Sequence, residues 1–191
     1  GRPDFEIVAR AKHARADLLV IGTHQWHGLQ RVLHPPSVSR SALRYAPMNL
    51  LVVPRSDRQG RHPIRRPRRI LVATDFSEAG DTAVRHAYAV AHPDSIVRLV
   101  HVVSPRRVQG SEYHKRAMGD RGSKARHADH LSRCANLLCS LVQEDAAVRG
   151  IVTEIGVVEH RDPAAAIVQE SERFGADMIC VGTPERTGLA A

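Results

Sequence analysis

The chain has 191 residues, 42% of them hydrophobic, which is enough for a packed core in one or two domains. Its formal charge is +8, and its three cysteines include no CxxC pair, which excludes a disulfide framework or a cysteine-rich zinc module and leads us to expect a reducing, cytoplasmic setting. The longest apolar runs, around Leu50 to Val53 and Ile70 to Ala73, are far too short to span a bilayer, and no basic start precedes an apolar signal segment, so no membrane attachment is expected.

In chain order, Phe5, Ile7, Val8 and Ala11 predict a helix over 3–14. A strand over 18–22, a helix over 37–45 and a strand over 49–53 follow. Residues 55–69 then carry seven arginines against one Asp, with two prolines and one glycine, and read as a linker. Clustered arginines can bind nucleic acid by releasing counterions, but no aromatics interleave for base stacking and no nucleic-acid-binding motif flanks the run. Nucleic acid is therefore not the expected partner. After the linker the cycle restarts with a strand over 70–74, a helix over 77–91 capped by Ser77, and a strand over 95–103. Residues 106–126 are polar and take no assigned element. A helix over 127–147 carries Leu131, Cys134, Leu138, Leu141 and Val142 on its apolar face. A strand over 151–158, a helix over 163–174 with Asp162 capping ahead of Pro163, and a strand over 178–182 complete the order. Strands alternate with helices throughout, so the expected class is α/β, a parallel sheet with right-handed crossovers. Cys134 and Cys180 are expected to act as small buried hydrophobes.

Two stretches nearly repeat each other: ADLLVIGTHQWHGL at 16–29 and ADMICVGTPERTGL at 176–189, offset by 160 residues. A duplicated unit follows. In each copy a continuous apolar run fits a strand buried on both faces, and the Gly-Thr after it is a strand exit at the carboxyl edge, where open α/β sheets bind ligands. Gly22 and Gly182 are thus candidate binding positions, with Gly188 of the second copy. Asp75 ends the first strand of the restarted unit; there a carboxylate can accept from a ribose or base edge, or tie down its own turn. His24 and His27 lack a second ligand pair at metal spacing, and the twelve histidines are otherwise scattered, so no metal site is expected. Trp26 reads as a packing residue, and His101 as a packed strand-end residue.

The segments RRILVATDFSEAGDTAVRHAYAVA, VRLVHVV, DPAAAIVQESERFGADMICVGTPERTGL and ADLLVIGTHQWHGLQRVLHPPSVSRSALRYAPMNLLVVPR resemble the universal stress protein family in order, spacing and residue type. The resemblance implies a Rossmann-like sheet of five parallel strands in the order 3-2-1-4-5. It also implies a tandem protein: residues 1–54 as the second half of one domain, 55–69 as linker, and 70–191 as a second domain without its last helix and strand. One branch of the family binds ATP through Gly, two residues, Gly, nine residues, Gly and then Ser or Thr, with an Asp after the first strand and a Val after the second. Asp75, Val102 and Gly182 match that pattern, while Glu185 stands at the second glycine. In the first unit Gly22 matches, Gln25 replaces the second glycine, and Pro36 with Ser37 stands where Gly-Ser is expected. Ser37 can still offer a hydroxyl to a phosphate; Pro36 has no N–H to give.

What the resemblance implies is a cytoplasmic regulatory protein of a bacterial-type stress response. ATP is its candidate cofactor, and chemistry is limited to at most slow ATP hydrolysis. The alternative is an interaction module that binds no nucleotide and meets a protein partner or a second copy through the strand Asn49 to Val53. A nucleic-acid binder acting through the arginine-rich linker ranks third.

Overall fold

The computed structural model describes residues 2–23, 38–54, 66–105 and 112–183, the side chains of Thr23 and of 112–124 excepted. The chain divides into two compact units, Gly1–Ile64 and Arg65–Ala191.

The first unit contains α1 (Pro3–His13), β1 (Leu18–Thr23), α2 (Val38–Tyr45) and β2 (Asn49–Pro54). Pro3 opens α1 with its fixed φ, Asp4 and Glu6 follow in the first turn, and Arg10, Lys12 and His13 occupy the last, an arrangement that complements the helix dipole. The two helices meet through the rings of Phe5 and Tyr45, 5.2 Å apart. The strands pair in parallel, from Leu18 opposite Asn49 to Thr23 opposite Pro54. β1 departs from the expectation of burial on both faces: Leu18 and Val20 are 51% and 56% exposed, whereas Leu19 and Ile21 are half-buried. An apolar run satisfies a one-faced strand as readily as a two-faced one, and the described residues of this unit cover only one face.

The second unit contains β3 (Arg69–Ala73), α3 (Glu78–Val90), β4 (Ile96–Val103), α4 (Glu112–Ser140), β5 (Val152–Glu159), α5 (Pro163–Phe174) and β6 (Met178–Val181). Its strands are parallel in the order β5-β4-β3-β6, which is third, second, first and fourth by position within the unit. β3 starts at Arg69, the last residue of the stretch read as linker. The period-two alternation of a strand sends Ile70, Val72, Val97 and Leu99 to one face, against Val84, Ala87 and Tyr88 of α3 and Leu138 of α4. Leu71 and Val100 point to the other face, where Phe174 of α5 packs with Val102, Val158 and Ile167. Central β3 is therefore covered on both sides. Terminal β6 is not: Met178 and Cys180 pack on the core, but Ile179 and Val181 are 43% and 52% exposed.

Helix ends follow local chemistry. Ser77 Oγ accepts from Gly80 N at 3.2 Å, and Asp162 Oδ1 accepts from Ala164 N and Ala165 N. Gly175 ends α5 in the left-handed region at φ 65. Arg149 donates to the carbonyls of Tyr88 and Ala91, closing the C-terminus of α3. α4 differs from the expected 127–147. It starts at Glu112, in a polar stretch where apolar periodicity is weak. It ends at Ser140, beyond which Leu141 and Val142 still pack on the core from a turn. The apolar pattern thus outlasts the helix.

The three cysteines are free: Cys134 is buried, Cys180 half-buried and Cys139 exposed. Burial pushes the Cys180 thiol up to about 11 and raises that of Cys134. Because only the thiolate attacks, Cys139 is expected to react alone with a disulfide reagent in the native protein at pH 8, the other two following after denaturation. Rapid native labelling of Cys180 would contradict this packing.

Candidate functional site

The carboxyl end of β3 passes into α3 through the turn Thr74-Asp75-Phe76-Ser77, which its own side chains hold. Phe76 N donates to Thr74 Oγ1 at 3.0 Å, and Ser77 donates to Asp75 Oδ1 twice, from its N–H at 3.1 Å and from its hydroxyl at 2.5 Å. These two bonds from Ser77 hold the Asp75 carboxyl below the ordinary carboxylate range; partial desolvation opposes them, and nearby His101 assists. Asp75 is exposed, and Oδ2 makes no hydrogen bond among the described residues. Phe76 sits at φ 63, a conformation that costs a non-glycine residue about 1–2 kcal/mol and that the surroundings must enforce. His101, near the end of β4, supplies part of that constraint. Its ring lies 4.3 Å from that of Phe76, and its Nδ1 is 2.8 Å from the carbonyl oxygen of Thr74.

Two glycines let backbones meet at this edge. A Cβ added to Gly80 would lie 2.5 Å from Thr74 Oγ1 and 3.1 Å from Asp75 Oδ1. One added to Gly182 would lie 2.3 Å from both C and O of Ala79 and 2.6 Å from Gly80 N. So the exit of β6 rests on the first turn of α3, and that turn rests on the Asp75 loop. The contact joins Gly182 to Asp75 through Ala79 and Gly80.

Of the residues expected at the site, Asp75 and Gly182 come together at this edge. Val102 is half-buried and packs with the cluster around Phe174. Gly22 is the penultimate residue of β1 in the other unit, where an added Cβ would meet nothing within 4 Å. Ser37 and Gly188 lie outside the described residues, as do His24, Gln25, Trp26, His27, Pro36 and Glu185. The sequence reading assigned no site role to His101, Phe76 or Gly80. The sequence signal for them is the run TDFSEAG after an apolar strand, but the left-handed Phe76 is a tertiary effect that no local pattern announces. Among the described residues there is no group of three or more His, Cys, Asp or Glu able to hold a metal ion, and no helix is long and apolar enough to cross a membrane.

Comparison with protein families matches residues 1–54 and 67–191 to the universal stress protein family. A solved universal stress protein from Archaeoglobus fulgidus aligns at 18% identity with a TM-score of 0.57, over 95% of this chain and 55% of that one. A universal stress protein family member from Burkholderia pseudomallei aligns at 21% identity and a TM-score of 0.41, over 63% of this chain and 85% of its own. One from Arabidopsis thaliana, solved with AMP bound, aligns at 19% identity and a TM-score of 0.36, over 65% and 82%. A comparison with curated protein sequences gave no significant match.

The two copies of the repeat make opposite predictions for one substitution. Gly182→Ala drives a methyl group into the Ala79 backbone, which cannot swing aside like a side chain, and is expected to cost about 1–3 kcal/mol or more in denaturant unfolding. Gly22→Ala is expected to change stability by less than about 0.5 kcal/mol. Equal effects at the two positions would contradict the interlock.

Proposed function

The chain belongs to the universal stress protein family, and from that premise we propose that it is a cytoplasmic stress-response regulator whose second unit binds a nucleotide at the carboxyl edge of β3. The observation that carries this reading is Asp75, an exposed carboxylate with one oxygen fixed by Ser77 and the other free, held at a sheet edge by a strained turn. A free, pre-aimed carboxylate oxygen at that place is suited to accept from ribose hydroxyls. Val102 at the end of the neighbouring strand offers apolar cover, and Gly182 sets the floor on which the strand exit lies. Within this reading the two units are tandem domains of one regulatory protein, and binding is the function; chemistry is limited to slow hydrolysis of ATP.

A second reading, a module that binds a protein partner or a second copy through β2, is favoured by one observation. Within its unit β2 pairs only with β1, leaving its other edge without a strand among the described residues, and Val53 is 45% exposed there.

Equilibrium titration of the chain with labelled adenine nucleotide separates the two. Saturable binding is expected, weakened about tenfold or more in Asp75→Ala, as for loss of a hydrogen bond to a charged acceptor. Binding that is absent, or unchanged by the substitution, would reject the nucleotide reading and leave the interaction module in its place.

A further inference from the structure

The repeat extends upstream of its two matching strands, and its copies differ in what they bury. At the same offset α1 aligns with α5: Pro3 and Pro163 open the helices, and Arg15 and Gly175 lie just past their ends in the left-handed region, at φ 51 and 65. Val8 is buried at 9% exposure, whereas its counterpart Val168 is 52% exposed. Leu19 and Ile21 are half-buried, whereas their counterparts Ile179 and Val181 are exposed. The first unit shows what makes the difference: α2 packs on α1 and reaches β1, and β2 pairs along β1. In the second unit α5 lies over β3 and β4, and among the described residues β6 pairs only with β3.

Ile179 stands opposite Leu71 in register, so the exposed patch continues the face of the sheet that α5 covers. Both connections, β5 to β6 through α5 and β1 to β2 through α2, carry their helix on this face, and right-handed crossovers on one face step the same way across a sheet. The place that β2 fills beside β1 is therefore the free edge of β6.

We propose that this edge and the patch of Val168, Ile179 and Val181 dock the α2–β2 segment of a second copy of the chain. That segment leaves its own β1 and pairs in parallel along β6 in the same register, with Leu51 opposite Cys180 as it stands opposite Val20 on β1. A two-stranded sheet is a marginal platform, and on β6 the same segment adds a fifth strand to a sheet of four. The connection from β2 to β3 selects a second copy as the acceptor: residues 55–69 carry seven arginines and two prolines, and a like-charged, proline-bearing connection favours exchange between chains over folding back within one. The exchange does not rest on the nucleotide reading, and it engages the edge of β2 that β1 holds, not the free edge.

The test is sedimentation of the whole chain over a range of concentrations, with a disulfide to assign the contact. The wild type is expected to dimerise, and the double variant Ile179→Asp, Val181→Asp to weaken the dimer about tenfold or more. In a Cys139→Ser background, Leu51→Cys is expected to be trapped by mild oxidation as a dimer linked to Cys180, whereas Leu50→Cys, on the opposite face of β2, is not. The trapping decides the matter if the double variant fails to fold. A wild-type chain still monomeric at about 1 mM would overturn the exchange. So would a Leu51→Cys disulfide to Cys180 that closes within one chain, or a dimer indifferent to the double variant, which would be a contact through the free edge of β2 instead.

Discussion

The structure of the second unit turns on a backbone contact that only glycine permits: the exit of β6 at Gly182 lies directly on Ala79 and Gly80 in the first turn of α3. Side chains elsewhere in the core can exchange volume with their neighbours, but two peptide groups at this distance have nothing to trim. The same turn is held from the other side, where Gly80 leaves just enough room for Thr74 Oγ1 and the Asp75 carboxylate. Position and orientation of the candidate site thus follow from packing among β3, α3 and β6. Ser77 then fixes one carboxylate oxygen, and His101 with Phe76 holds the turn in its unfavourable backbone conformation.

The rest of the unit supplies the platform. β3 is flanked by β4 and β6 and covered by helices on both faces, so its carboxyl end is anchored by Ile70, Leu71 and Val72, all fully buried. On the α5 side, Arg98 reaches Glu170 at 3.2 Å and Glu154 at 3.7 Å, and Arg69 donates to the Phe174 carbonyl at 2.6 Å. Both guanidinium groups lie over the Phe174 ring, at 4.4 Å for Arg69 and 5.4 Å for Arg98. These contacts tie the end of α5, and so the start of β6, to the sheet. Asp177 reinforces the join by accepting from the N–H groups of Arg68 and Arg69. The strand that delivers Gly182 is fixed at its start by charged side chains bonded to backbone groups and at its end by a backbone contact.

Much of this was legible in the sequence, because period-two and period-3.6 patterns report burial directly. The alternation of elements, the caps at Ser77 and Asp162, and the parallel sheet all came from local chemistry. The family resemblance added the strand order. Burial depth was less legible: the apolar runs of β1 and β6 look two-faced, but one face of each is exposed because coverage depends on which helices lie over a strand. The start of α4 is not legible because residues 112–126 are polar and carry no apolar period. Its end was overextended, since Leu141 and Val142 face the core without being helical. At the site, Asp75 and Gly182 were visible as types in a pattern. The packing duty of Gly182 and the part played by His101 were not, because both depend on residues that the chain brings together from about a hundred positions or fewer away.

The central claim is that the interlocked turn at the end of β3 is where this protein meets its ligand. Amide chemical-shift mapping of the labelled chain during titration with adenosine tests it most directly. The account predicts saturating shifts concentrated at residues 74–80, at His101 and Val102, and at Gly182, with the first unit undisturbed. Shifts confined to the first unit, or scattered without saturation, would contradict it.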